Sequence, residues 1–339
     1  MSNEVGTTGT PALRLLATAH GAGTTGVLLM TYGAAQSPEG VPAYLRSVYR
    51  GNAPQAVVEE FQRRYRLVGG SPLVEITRAQ ATALERLLHA EAAPGASYRV
   101  EAGMQHTAPY IEDGLRALAE AGCTRIVAMV MSPQYSPIIM GGYGRKLDAA
   151  RHVLPVDTEL IVAGTWHTLP AFIDALAGRV RAALAGLPPK EREAVQVILT
   201  AHSLPESVVQ REPHYIVQLQ ETVRAVAEAV PLGEGQWQFA YQSAGHSPEP
   251  WLTPDMKDLL PGLADAGHRN VLMVPVQFLA DHLETLYDID VAAREEADVV
   301  GIGFQRIEMF NTSPEFISVL AAVVHRELAC FRAVRSARV

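Results

Sequence analysis

The chain has 339 residues, more than one hydrophobic core of ordinary size accommodates and enough for two domains. Hydrophobic residues are 48% and charged residues 19%, a globular composition, and a net charge of −8 without a long Lys/Arg run argues against a nucleic-acid partner, which demands many phosphate-neutralising cations. The two cysteines, Cys123 and Cys330, are too few for a cysteine-only iron–sulfur cluster or zinc site and read as reduced thiols of a cytoplasmic protein.

In chain order, residues 1–25 are rich in Gly, Thr and Ala and lack the basic and apolar regions of a signal peptide, so they read as a flexible extension. No run of 18 apolar residues follows anywhere, which leaves no transmembrane segment. A first apolar strand is predicted at 26–31, then a helix at 76–90, a strand at 98–103, a helix at 111–121, and strands at 125–131 and 160–164. A helix at 172–185 leads to the polar, turn-rich stretch 187–193. Beyond it a strand at 195–200, a helix at 216–229 and strands at 237–241, 270–275 and 299–303 precede a final helix at 314–331. Near-continuous apolar strands alternating with helices indicate an α/β fold of parallel sheets covered on both faces. Eight strands fit one sheet or two. LLMTYG and ILTAHS open the two halves alike, which favours two similar domains facing each other across a cleft. The first spans 26–170 plus 314–331, and the second spans 171–313.

Ligands of such sheets sit outside the carboxyl ends of the strands. Those ends carry Tyr32-Gly33, Gly103-Met104-Gln105-His106, Ser132-Pro133-Gln134-Tyr135-Ser136, His202-Ser203-Leu204-Pro205 and Asp281-His282-Leu283-Glu284. A histidine after a strand can cap a helix or satisfy a buried carbonyl. His202, however, begins a turn where the cleft should open, with a carboxylate-bearing turn later in the same half. Glu284 and Asp288 share one face of a helix at i, i+4, and with Asp290 they make an acidic line that invites a hard or borderline divalent cation, or else a solvated helix start. Tyr241, Trp237 and Trp251 read as core or cleft wall. His214 and His246 read as solvated loop residues, and Arg63, Arg64 and Arg66 as a helical face from which one side chain could reach a carboxylate. The turn Gly69-Gly70-Ser71-Pro72 could present N–H groups to an anion. The absence of Walker, GxGxxG, HExxH and GxSxG motifs argues against nucleotide, dinucleotide, zincin and α/β-hydrolase chemistry.

The segments LLMTYG, YRLVGGSPL, GMQHTAP, TAHSLPESV, WLTPDMKDLLPGL, VPVQFLADHLETLYDID and SPEFISVL together resemble ferrochelatases, in order from about residue 26 to 325. TAHSLPE and ADHLETLYDID are the specific ones. The resemblance implies two Rossmann-like domains with a porphyrin cleft between them, in a lyase of haem biosynthesis whose substrates are a porphyrin and Fe(II). His202 matches the family's active-site histidine, Glu284 its partner carboxylate, and Tyr32 the position facing the other side of the porphyrin. Asp288 matches the next member of an acidic metal path. Arg50, Arg64, Ser71 and Tyr143 resemble propionate-holding positions of the coproporphyrin-using branch. Three positions depart from the pattern. Many relatives have Pro-His-Phe-Ser where this chain has Pro133-Gln134-Tyr135-Ser136. Ala292 ends the acidic line one turn past Asp288. The Gly-Gly-Ser-Pro turn is one residue short. The C-terminal cluster-binding cysteines of some relatives are missing, so no iron–sulfur cluster and no permanently bound cofactor is expected, and haem-pathway enzymes are the expected protein partners.

Metal insertion requires loss of two pyrrole protons, bending of the macrocycle and shedding of water by Fe(II). A neutral histidine can accept a proton near pH 7 and can ligate iron, so His202, sharing charge with Glu284, is the expected acceptor. A phenol with a pKa near 10 is a poor base but an oxygen ligand, the role left to Tyr32. Tyr32-Gly33 and the propionate partners favour coproporphyrin III over protoporphyrin IX. A cobalt or nickel chelatase and a non-catalytic tetrapyrrole or metal carrier on the same scaffold are the competing readings.

Overall fold

Residues 23–135, 137–245 and 249–337 are described by a computed structural model. Residues 1–22 of the expected extension, Ser136 and His246 lie outside them. The first half runs β1 (Gly23–Thr31), α1 (Val41–Val48), α2 (Gln55–Val68), α3 (Leu73–Glu91), β2 (Ala96–Met104), α4 (Ile111–Glu120), β3 (Cys123–Val130), α5 (Pro137–Ala150) and β4 (Glu159–Val162). The second runs α6 (Pro170–Ala185), α7 (Pro189–Ala194), β5 (Gln196–His202), α8 (Glu206–Arg211), α9 (His214–Ala229), β6 (Trp237–Gln242), α10 (Met256–Asp265), β7 (Asn270–Pro275), a π-helix (Glu284–Ala293), α11 (Arg294–Val299), β8 (Gly303–Arg306) and α12 (Pro314–Ser336).

Two four-stranded sheets result, ordered β2-β1-β3-β4 and β6-β5-β7-β8, with every pairing parallel. The order is the same in both halves. Chain direction across each sheet reverses beside β1 and beside β5, and the carboxyl ends at such a switch point open a crevice. Both central strands are apolar on both faces, as parallel strands covered by helices must be. Leu28 and Met30 pack with Leu115 and Leu118 of α4, while Val27 and Leu29 join a large core with Leu84 and Leu88 of α3. That core runs through α6 and α9 to Val197 and Leu199 of β5, so one apolar body joins the two sheets. The final helix, α12, returns to pack on α3 and β3 and also touches α6.

Three sequence expectations shift. Residues 23–25 belong to β1, in register with Ala96, Ser97 and Tyr98, so the extension ends earlier than residue 25. The eighth strand is Gly303–Arg306, not 299–303. Val299 ends α11 with 87% of its surface exposed, and Gly301 at φ +72° breaks the apolar run into a helix stop and a strand start. The segment after residue 283 is π-helical rather than α-helical. The π form bonds i→i+5, which a two-residue acidic pattern cannot distinguish from i→i+4.

Candidate active site

The strand ends of both sheets surround a cleft of about 1560 Å³. On the first-half wall, Tyr32 follows β1 and Gly33 turns the chain at φ +87°. A Cβ on Gly33 would lie 2.7 Å from Thr107 Cγ2 and 3.0 Å from Met104 Cβ, so the turn is closed to side chains. The next strand end is laced to it: Gln105 N–H donates to Thr31 O (2.9 Å) and His106 N–H to Tyr32 O (3.1 Å). The His106 ring packs on the Tyr32 ring at a centroid distance of 4.4 Å, and its Nδ1 is 3.0 Å from Ser47 Oγ. Burial, aided by the Lys146 ammonium, holds the His106 imidazole below its ordinary value, and burial and the Glu284 carboxylate push the Tyr32 phenol up.

On the second-half wall, His202 closes β5. Its N–H donates to Gln277 Oε1 (3.3 Å), and its Nδ1 meets the Ser203 carbonyl. A carbonyl only accepts, so Nδ1 carries the proton and Nε2 is left as the free acceptor. Nε2 lies 3.3 Å from Glu284 Oε2. That oxygen is buried, and its approach to the imidazole is not aligned as a hydrogen bond. An imidazole lone pair opposite a carboxylate is repulsive unless a proton or cation comes between them, so the two groups form a holder for one positive charge. His282 lines the same wall, its Nδ1 on Ala280 O at 3.0 Å and its ring edge-on to Phe278; burial lowers its pKa from the ordinary imidazole value.

Asp288 also faces the cleft. Burial first, then the charge of Glu284, raises its carboxyl to about 6, against the lowering influence of Arg64. Arg64 Nη1 reaches Asp288 at 3.0 Å while its Nε binds Glu60 Oε1 at 2.8 Å, and its guanidinium lies over the Tyr287 ring. Asp290, expected in the same acidic line, points away from the cleft to Arg306, because residues two apart on a helix lie on opposite faces. Ala292 lines the cleft where the next carboxylate was missing, and Glu296 resumes the acidic wall beyond it, opposite Asp255.

Of the residues matched to propionate-holding positions, Ser71 and Tyr143 are buried in the cleft wall. Arg50 is at the rim in a left-handed conformation (φ +52°), and Arg64 is engaged as described. Arg145 and Lys146, on α5 just past Tyr143, line the cleft as well. Among the described residues neither these two nor Arg50 has a carboxylate partner. Gln134, 1% exposed, is outside the cleft: its Nε2 donates to Thr222 Oγ1 (3.0 Å), so this departure sits at a contact with α9. Sequence reading passed over His106, Arg145 and Lys146. His106 stood at the second strand end and could have been chosen by position; nothing local marked the cations on α5.

The comparisons with known proteins agree with one another. A family model described as Ferrochelatase matches residues 24–328. A Deinococcus radiodurans protein named Ferrochelatase is 40% identical over 306 residues, covering 90% of this chain and 96% of its own. Proteins named Coproporphyrin III ferrochelatase from Geobacillus kaustophilus (36% identical, covering 90% and 96%) and Bacillus subtilis (35%, covering 89% and 97%) are similar over the same span. Among solved structures, SirB from Bacillus subtilis with Fe3+ superposes with a TM-score of 0.58 at 12% identity, covering 91% of this chain and 98% of that one, which matches the fold.

Proposed function

Since the chain belongs to the ferrochelatase family and is thereby a metal chelatase of the lyase class, we propose that it inserts Fe(II) into coproporphyrin III, with His202 and Glu284 as the proton-accepting pair. The observation that carries this is the 3.3 Å approach of a carboxylate to a histidine nitrogen left free by its own tautomer, on the wall of a cleft large enough for a macrocycle.

The charge balance is simple. One Fe2+ enters the ring and two pyrrole N–H protons leave, so the porphyrin core stays neutral. His202 Nε2 takes a proton, and Glu284 stabilises the imidazolium that forms. The proton then passes to Glu284, which frees Nε2 for the second. Asp288, in line on the π-helix, accepts protons or hands on the metal. Tyr32 and His106 form the opposite wall, against which the macrocycle is held, and a distortion of roughly 1–5 kcal/mol is the usual scale of such strain. The cleft wall also holds Thr31 Oγ1, Gln105 Oε1 and Gln242 Nε2 buried without a partner among the described residues, polar points suited to a polar-edged ligand.

Two facts support a substrate with four carboxylates. Relatives similar over nine-tenths of the chain are named for coproporphyrin III. The cleft also presents Arg50, Arg145 and Lys146, none with a carboxylate partner among the described residues, more cations than a two-carboxylate porphyrin requires. No described helix is long and apolar enough to cross a membrane.

An anaerobic assay with Fe(II) and coproporphyrin III, following loss of free-porphyrin fluorescence, tests the reading. Wild-type turnover, lowered on the order of a hundredfold or more by His202→Ala, is the expected result. Tight porphyrin binding without turnover would replace the enzyme by a carrier. Faster insertion of Co(II) or Ni(II) would change the metal, and a higher kcat/KM for protoporphyrin IX would change the porphyrin.

A further inference from the structure

A ten-residue π-helix is a rare backbone form, since the α-helix competes with it at every residue. In this chain it has an external tie. The Arg306 guanidinium, at the end of β8, forks onto Asp290 in the middle of the π-helix, with Nε to Oδ1 at 2.8 Å and Nη2 to Oδ2 at 2.7 Å. The same Nη2 reaches Asp281, just ahead of the π-helix, at 3.2 Å. Asn311 completes the grip from the loop after β8. Its Oδ1 accepts from Asp281 N–H (2.9 Å), and its Nδ2 donates to Asp281 Oδ2 (2.8 Å). The Arg306 side chain is only 12% exposed, so these are well-desolvated, bidentate contacts rather than a loose surface pair.

We propose that Arg306 is a positioning residue for the His202–Glu284 pair: by holding Asp281 and Asp290 to one guanidinium on the reverse face, it fixes in place the π-helix whose cleft face carries Glu284 and Asp288. The inference rests on the chelatase reading of that pair. It explains why one acidic residue of the segment serves no cleft function. Asp290 is the anchor on the reverse face, and its register decides where Glu284 stands. A carboxylate displaced by about 1 Å from a reacting centre costs on the order of a hundredfold in rate.

Removing a buried guanidinium outright risks unfolding, so two milder changes serve. Asp290→Asn keeps the shape and loses the charge; Arg306→Lys keeps the charge and loses the fork. Three measurements are made on the full chain: amide hydrogen exchange, coproporphyrin affinity by fluorescence quenching, and kcat with Fe(II). Expected in both variants are faster exchange confined to 284–293, a kcat lower by about tenfold or more, and a porphyrin Kd within about threefold of wild type. Wild-type exchange in that segment, or a kcat that falls only in step with porphyrin affinity, would overturn the proposal. So would exchange rising evenly over the second sheet, which would make Arg306 a fold-stabilising residue alone. Exchange is read without turnover, so a wild-type protein that inserts no metal would sink the chelatase reading while leaving the clamp to be judged on its own.

Discussion

The Arg64 guanidinium lies 3.0 Å from the Asp288 carboxylate, joining α2 of the first half to the π-helix of the second across 224 residues of sequence. Both side chains are largely buried, so the pair is little screened by solvent. Arg64 partly offsets the burial and the Glu284 charge that lift Asp288 to about 6.

The proposed metal role of Asp288 predicts a pH dependence. A carboxyl raised from 3.8 to about 6 holds its proton more tightly in the folded chain, so its contribution to stability is full below 3.8 and is lost as the pH rises through about 6. The ionised form that attracts a cation exists above that pH. The KM for Fe(II) should therefore rise as the pH falls through about 6. Arg64→Met should move that rise to higher pH, and Asp288→Asn should abolish it. Anaerobic steady-state kinetics across the pH range would show a pH-independent metal KM in the wild type if the reading is wrong.

If His202 and Glu284 act as the proposed pair that shares one positive charge, their losses should not add. Glu284→Gln and His202→Ala are each expected to cost on the order of a hundredfold in kcat, and the double variant about the same as the worse single. Multiplicative losses would mean that the two act separately.

Lys146 faces both the cleft and His106. Lys146→Glu should weaken coproporphyrin III binding by about tenfold, one lost charge-assisted contact, and protoporphyrin IX binding by less. Because burial and this ammonium hold His106 below 6.5, Lys146→Met should raise its titration midpoint, read from the imidazole proton resonances. Equal loss for both porphyrins would remove Lys146 from selectivity.

Gly33→Ala should cost roughly 1–3 kcal/mol through its left-handed backbone and the clash with Thr107, measured by denaturant unfolding. Tyr32 precedes it directly, so fluorescence titration should also show weakened porphyrin binding.

Much of this was legible in the residues because it depends on local periodicity. The alternation of apolar strands with amphipathic helices announced parallel sheets, and the like openings LLMTYG and ILTAHS favoured two of them. The strand-end rule pointed to Tyr32, His202 and Glu284, all of which line one cleft. Val299 misled for a physical reason: its apolar run is broken by a left-handed glycine and half of it faces water. Contacts made over long separations carry no local trace. Arg64 looked like one of three arginines on a helix face until folding set it against Asp288. Asp290 looked like a third cleft carboxylate until folding set it on the reverse face of its helix against Arg306. Gln134, a departure from the family pattern after a strand, lies against α9. Chain order and hydrophobic pattern thus determined the architecture and the chemical groups available. Which charges meet, and which face the cleft, was decided by the packing of the two sheets, because an ion pair's partner is chosen by three-dimensional proximity and burial rather than by spacing along the chain.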